Sequence, residues 1–314
     1  WSNAGQRSDA MLKWTLLAHS VSDDSGLQSY LKEVRLFLSR AKERQWPLAT
    51  LVDIDNALCT YQADQCYRED RHANAGEQLM NGYAYLYPER KMPEAWRACK
   101  AWTRVTIGEE GQATGDETLA FMEDWLRSHK EPGAQIAGMV IPVQVDAYAR
   151  ESEILNLRRE DVVDNGEEIA LFFGRAHRGE SAKTGRNQGV RLDFPHSIDI
   201  VRQRLVLARS DQTKLFPITS ATYQKWWRLA AQKAGSTAPP HSCRHTGPSR
   251  DLATGYRDMP QVQRRGRWSA EKSVRRYAKT HAWIAVTKAQ PPHVLSRGSE
   301  LLGMRAPRPK VPRE

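Results

Sequence analysis

The sequence predicts a mainly α protein in two parts. A helical N-terminal bundle comes first, followed by a mixed α+β domain that is mostly helical and carries a small β-hairpin. Three observations carry this. Apolar residues recur at three- and four-residue spacing through most of the first 105 residues. Three glycines fall within nine residues at 107–115, a break between two patterned regions. Two later segments read as strands: Ile169-Ala170-Leu171-Phe172-Phe173 is an apolar run, and Val190-Arg191-Leu192-Asp193-Phe194 alternates.

The elements follow in order. After Gly26, residues Leu27, Leu31, Val34, Leu38 and Ala41 share one helical face, and Pro47 stops that helix near Gln45. A second helix spans 51–68, with Leu51, Ile54, Leu58, Tyr61 and Cys66 as its core positions. A third covers 75–86 and ends before Pro88. A fourth starts at Pro93, a favoured first-turn residue, and runs through Trp96, Cys99 and Trp102. The aromatic residues of this bundle read as core. Past the glycines, Asp116 is placed to cap a helix over 116–129, and 134–148 forms a buried helix kinked by Pro142. Arg150 leads the next helix. Helices resume at 197–208 and 221–235, and one beyond Tyr277 reaches Ala289. The expected organisation is a helical domain over 1–106, a linker over 107–115, a second domain over 116–290, and a basic, disordered tail over 291–314.

Composition sets the functional class. Of 314 residues, 40% are apolar, which suits a packed core and argues against global disorder. The net charge is +10, and it is not spread evenly. From His241 onward, 16 Lys and Arg face 5 Asp and Glu, while the chain before it is close to neutral. A basic surplus confined to one end suits a polyanionic partner. Cys59, Cys66, Cys99 and Cys243 form no CxxC pair, so a zinc site is not indicated and reduced thiols are expected. No run of 18 apolar residues and no signal-peptide pattern occurs, so the expected location is intracellular: cytoplasmic in a prokaryote, nuclear in a eukaryote.

The chemistry concentrates in residues 241–277. His241 and Arg244 lie three apart, so one helical turn can aim both at one point. Trp268 and Tyr277 follow, nine residues apart, among basic side chains. A tyrosine hydroxyl can attack phosphorus and store the bond energy as an ester. Two guanidinium forks suit the charge that builds on the non-bridging oxygens. A lysine can protonate the leaving oxygen, and an imidazole or indole N–H can donate one more bond. Arg150, Lys183, His241, Arg244, Trp268 and Tyr277 supply these parts in order. No metal-ligand spacing accompanies them.

These residues resemble the motifs of the tyrosine recombinases, the phage-integrase class. The Arg-x-x-Glu box is Arg150 to Glu153, and the lysine between two strands is Lys183. The His-x-x-Arg motif is His241 to Arg244, with a second histidine at His245. Trp268 stands nine residues before Tyr277. The resemblance implies that Arg150 and Arg244 clamp the scissile phosphate of double-stranded DNA. Tyr277 forms a 3′-phosphotyrosyl link, Lys183 acts as general acid, and His241 assists proton transfer. Trp268 buttresses the site, and Glu153 orients its neighbours. It further implies a core-binding role for the helical N-terminal domain, four protomers on a pair of sites, and no ATP, metal or other cofactor. One departure stands out: Arg267 is inserted between Gly266 and Trp268, where members place glycine directly beside the histidine or tryptophan. Arg264, Arg265, Arg267, Arg275 and Arg276 are read as DNA-backbone contacts or local scaffold.

Two other classes fit the same residues. One is a DNA-binding protein of recombinase descent without strand exchange; the other is an enzyme like the type IB topoisomerases. Taken singly, each residue also has a plain structural reading. Glu153 can form a helical pair with Arg150, and Arg244 can pair with Asp251.

Overall fold

The computed structural model describes residues 24–106, 111–178 and 187–308. The chain divides into two compact units, after Glu110. The first contains α1 (Asp24–Glu43), α2 (Leu51–Tyr67), α3 (Asn74–Leu86) and α4 (Pro93–Val105). Helix α1 packs on α3, and α2 packs on α4. The α2 N-terminus is closed by a capping box between Thr50 and Asp53. Buried Asp55 accepts from the backbone N–H groups of Glu94 and Ala95 at 3.1 and 2.8 Å, so an α2 carboxylate caps α4.

The bundle core holds Val34, Phe37, Leu58, Tyr61, Leu79, Tyr83 and Cys99. The predicted α1 face is correct at Val34 and Ala41, but Leu38 is exposed and Phe37 takes the core position. Phe37 meets Tyr61 edge-on with ring centres 5.6 Å apart. Leu51, expected in the core, sits exposed in the first turn of α2.

The second unit contains α5 (Asp116–Arg127), α6 (Pro132–Asp146), α7 (Glu151–Leu155), β1 (Val162–Asp164), β2 (Ile169–Phe173) and β3 (Gln188–Arg191). Helices α8 (Pro195–Leu207), α9 (Ser220–Lys233), α10 (Cys243–Ala253), α11 (Met259–Gly266), α12 (Glu271–Tyr277), α13 (Thr280–Lys288) and α14 (Pro292–Gly303) follow. The sheet is antiparallel in the order β1-β2-β3, with Leu171 facing Val162 on one side and Val190 on the other. The expected hairpin is there, but its second strand is shifted toward the loop, and β1 is an additional strand. Three residues with little patterning gave β1 no sequence signal. Helix α6 runs through Pro142 and is buried against α5, α8, α9 and α10. Gly247 makes the α10 crossing possible, because a Cβ there would lie 2.4 Å from the Tyr148 ring.

Three expectations are corrected. Residues 111–115 are not a loose linker: the Thr114 backbone N–H donates to Thr246 at 2.8 Å, and its hydroxyl donates to Ser242 at 2.8 Å. Asp116 does not cap α5; Gly115 holds that position, and the Asp116 carboxylate accepts from Arg250 at 3.3 Å instead. The region from 291 onward is not a disordered tail over its described length. Helix α14 packs along α5, and Arg305 and Arg308 beyond it reach Glu123 at 2.7 Å and Asp251 at 2.8 Å. The basic residues that suggested solvent contact have buried carboxylates as partners. Residues 309–314 lie outside the described residues.

All four cysteines are free thiols. Among the described residues, no helix is long and apolar enough to cross a membrane.

Candidate active site

Helix α6 ends at Asp146, and the chain turns through Tyr148 in the left-handed region (φ 48°). That turn brings Arg150 to the N-cap of α7. One turn later, Glu153 receives the Arg150 backbone N–H at 2.9 Å and its guanidinium at 2.6 Å, the helical pair expected from their spacing.

His241 sits on the short 3₁₀ turn Pro240–Ser242, and Arg244 follows in the first turn of α10. Arg244 is fully buried. It donates to the Tyr148 carbonyl and, at 3.0 Å, to the Gly266 carbonyl. Its guanidinium carbon lies 5.0 Å from the Trp268 ring centre and 5.4 Å from that of Tyr277. Burial, and then the neighbouring charge of Arg150, push its pKa down to about 10, with Glu153 opposing. Arg244 does not pair with Asp251, whose partners include Arg250, Arg257 and Arg308.

Helix α11 starts on an Asp258–Gln261 capping box and ends at Arg267, which adopts left-handed backbone angles (φ 58°, ψ 38°). Two N–H groups close the end: Arg267 donates to Arg264 at 3.0 Å and Trp268 to Gln263 at 3.1 Å. This turn resolves the departure in the motif. The inserted Arg267 is the helix-ending residue, and its side chain turns inward to donate to Glu153 at 2.8 Å. Gly266 is required beside it, since a Cβ there would lie 1.9 Å from the Trp268 indole.

Trp268 stacks on Tyr277 with ring centres 5.0 Å apart and planes at 22°. Both belong to a small apolar cluster with Tyr148, Val262 and Val274, separate from the main core. Tyr277 ends α12, and its carbonyl accepts from Ser249 at 3.1 Å. The ring of His245 lies 4.7 Å from Tyr277 and that of His241 lies 5.8 Å away. Burial, and then the neighbouring His241 and Lys279, push the His245 pKa down to about 4. Burial alone would raise the Glu153 carboxyl, but Arg267, the Arg150 N–H and Arg244 together hold it below the usual range.

Five of the six predicted groups, Arg150, His241, Arg244, Trp268 and Tyr277, are therefore linked through Glu153, Arg244 or Tyr277. The sixth, Lys183, lies outside the described residues. The base of its loop is anchored: Arg175 and Arg178 reach buried Asp161 at 3.3 and 2.9 Å, and the Asn187 N–H donates to the Gly174 carbonyl at 2.7 Å.

The basic candidates separate into two kinds. Arg264 and Arg275 are exposed, and Arg275 makes a helical pair with Glu271 at 2.7 Å. For Arg265 and Arg267 the scaffold alternative is the one that fits, because their side chains are 8% and 4% exposed and pair with Asp146 and Glu153. The Arg276 side chain lies outside what is described. Sequence reasoning missed the support beneath. Asp146, Asp193 and Asp251 are buried with Arg250, Arg257, Arg265 and Arg308, and the Tyr148 hydroxyl donates to Asp251. Burial would raise the Asp251 carboxyl, but Arg250, Arg308 and Arg257 hold it far below its usual range.

The site is rich in donors that lack an acceptor within the protein. Arg244 Nε, Arg267 Nε and Nη1 and Trp268 Nε1 are buried without hydrogen-bond partners. An unmet buried donor costs about 1–3 kcal/mol, so this arrangement favours an incoming oxyanion. Among the described residues, no group of His, Cys, Asp or Glu is placed to hold a metal ion.

No family model matches the sequence, and no curated protein matches it. Solved structures do match in fold. A lambda integrase dimer bound to a COC′ core site aligns with a TM-score of 0.58 and 14% identity, over 86% of this chain and 75% of that one. The Tn1549 transposon integrase in complex with circular intermediate DNA gives 0.52 and 14%, over 84% and 98%. The XerH site-specific recombinase bound to a palindromic difH substrate, in a post-cleavage complex, gives 0.51 and 14%, over 76% and 71%. The helical bundle, the α+β unit with its three-stranded sheet and these alignments agree: the chain has the fold of the tyrosine recombinases.

Proposed function

We propose that the protein is a site-specific DNA recombinase that cuts and rejoins double-stranded DNA through a 3′-phosphotyrosyl intermediate. The observation that carries this is the pair of buried, unpaired donors on Arg244 and Trp268 beside the Tyr277 ring. Donors held in place before the reaction stabilise charge that develops in the transition state.

In this reading the Tyr277 oxygen attacks the scissile phosphorus as the neighbouring His241 takes up its proton. The bond to the 5′-oxygen breaks, and Lys183 protonates that oxygen to leave a 5′-hydroxyl. Arg150 and Arg244 hold the non-bridging oxygens, with His241 and Trp268 donating beside them. Rejoining runs the same steps backward with a different 5′-hydroxyl, so the ester retains the bond energy and no ATP or metal is consumed. Four protomers act on two paired sites. Arg264 and Arg275 supply phosphate contacts that weaken with salt.

The test is a pool of nicked suicide duplexes, randomised around the nick. Wild-type protein is expected to form a detergent-stable adduct that protease digestion removes. Tyr277→Phe should bind DNA and form none, and Arg244→Lys should slow adduct formation by about 10²–10³-fold. DNA binding without any wild-type adduct would support the binding-only class. Relaxation of supercoiled plasmid lacking paired sites would support the topoisomerase-like class.

A further inference from the structure

We propose that the second unit contains a binding site for a small apolar monocarboxylate, about the size of benzoate, apart from the DNA-cutting site. The site is a cavity of about 220 Å³ between α5, α6, the start of α8 and the segment after α14. A dry cavity of roughly 150 Å³ accepts benzene, so this one has room for a ring and a carboxylate. Leu119, Ile141, Val145, Phe194 and Leu302 form its apolar wall.

Two polar groups of the lining are donors without partners. Ser197 is fully buried, and its hydroxyl has no hydrogen-bond partner. Arg308 Nε is likewise buried without an acceptor, although its two terminal nitrogens bond Asp251 at 2.8 and 3.2 Å. Both groups can donate, and each suits a carboxylate oxygen. Among the lining charges, Arg250, Arg305 and Arg308 outnumber Asp116 and Glu123. Glu123 is already met by His196 at 2.6 Å, Arg305 at 2.7 Å and Arg127 at 3.1 Å, so it does not compete for the donors. An apolar lining with a few convergent polar groups is the usual form of a small-ligand pocket.

The site touches the support of the active site. Arg250 and Arg308 both hold Asp251, Asp251 accepts from the Tyr148 hydroxyl, and the Tyr148 carbonyl accepts from Arg244. A ligand on this wall therefore reaches the residues that position Arg244.

Titration calorimetry of the full chain with sodium benzoate tests the assignment, with toluene as the neutral probe. Saturable binding with one benzoate per chain is expected, at least ten-fold tighter than toluene. Ser197→Val should weaken benzoate at least ten-fold while circular dichroism stays unchanged. Ala120→Phe, which fills the cavity, should abolish binding; if it fails to fold, Ser197→Val decides. No benzoate binding would overturn the proposal, as would equal affinity for toluene or binding that survives Ser197→Val.

Discussion

Arg267 and Glu153 meet at 2.8 Å with side chains 4% and 8% exposed, joining the end of α11 to the start of α7. Arg267 holds this contact from a left-handed backbone (φ 58°), where a side chain costs about 1–2 kcal/mol. The ion pair and the stack on Phe173, 4.5 Å away, offset that cost. Arg267→Ala is therefore expected to destabilise the second unit by about 1.5–3 kcal/mol, because it removes a charge-assisted bond while Arg150 still meets the carboxylate. Arg267→Gly loses the same pair but relieves the backbone, so it should be milder by about 1 kcal/mol. Urea unfolding of both variants measures this. Equal losses would show that the left-handed turn carries no strain.

Gly266 and Trp268 make a second, opposed pair. Alanine is a better helix former than glycine by about 1 kcal/mol. At position 266, however, its Cβ would lie 1.9 Å from the indole. Gly266→Ala should thus destabilise by about 1–3 kcal/mol through overpacking and push the indole off Tyr277. In a Trp268→Ala background the same change should be neutral or stabilising. Thermal unfolding of the four-variant cycle checks the sign reversal; additive effects would mean that the indole is not what excludes a side chain at 266.

What could be read from the sequence divides along a physical line. His241 and Arg244 were legible from their spacing, because one turn can aim groups three apart at one point, whereas Arg150 and Glu153 entered as the Arg-x-x-Glu box of the resemblance. Trp268 and Tyr277 were identified by resemblance, and their rings stack with centres 5.0 Å apart. The support beneath was hidden. Arg265 lies 119 residues from Asp146, and Tyr148 lies 103 from Asp251, so no local pattern announced either pair. Buried arginines also look like surface arginines in one sequence. That is why Arg265 and Arg267 were open to a DNA-backbone reading, and why Arg305 and Arg308, partly buried on their carboxylate partners, were placed in a solvated tail. Leu38 and Phe37 show the same limit in miniature, since periodicity named a face but not which of two adjacent residues lies at its centre.

His245 gives the site a pH signature. In the unfolded chain its imidazole titrates near 6.5, and in the fold near 4, through burial and then the charges of His241 and Lys279. Between those values the unfolded chain binds more protons, so stability is lost as pH falls from 6.5 toward 4. The loss is up to about 3 kcal/mol, at about 1.36 kcal/mol per unit. His245→Asn should remove this contribution. Urea midpoints measured from pH 7 to pH 4 should converge for the two proteins; parallel curves would show that His245 titrates normally in the fold.

Arg308 shows that charge reaching back from the C-terminal region completes the fold. Its guanidinium bonds both oxygens of Asp251, at 2.8 and 3.2 Å, and lies 3.6 Å from the Tyr256 ring centre and 4.0 Å from that of Phe194. Asp251 in turn accepts from Tyr148, whose carbonyl holds Arg244. Removing Arg308 leaves Asp251 with Arg250, Arg257 and Tyr148, so the carboxylate stays ionised but loses two charge-assisted bonds. Arg308→Met keeps the apolar contact with the rings and should still cost about 1.5–3 kcal/mol. Arg308→Lys should recover only part, because one ammonium cannot match the two-oxygen fork. Hydrogen exchange should show faster opening of α10 in Arg308→Met, spreading to residues 147–150. Opening confined to residues 304–308 would mean that the segment is an appendage and that Asp251 holds Tyr148 without it.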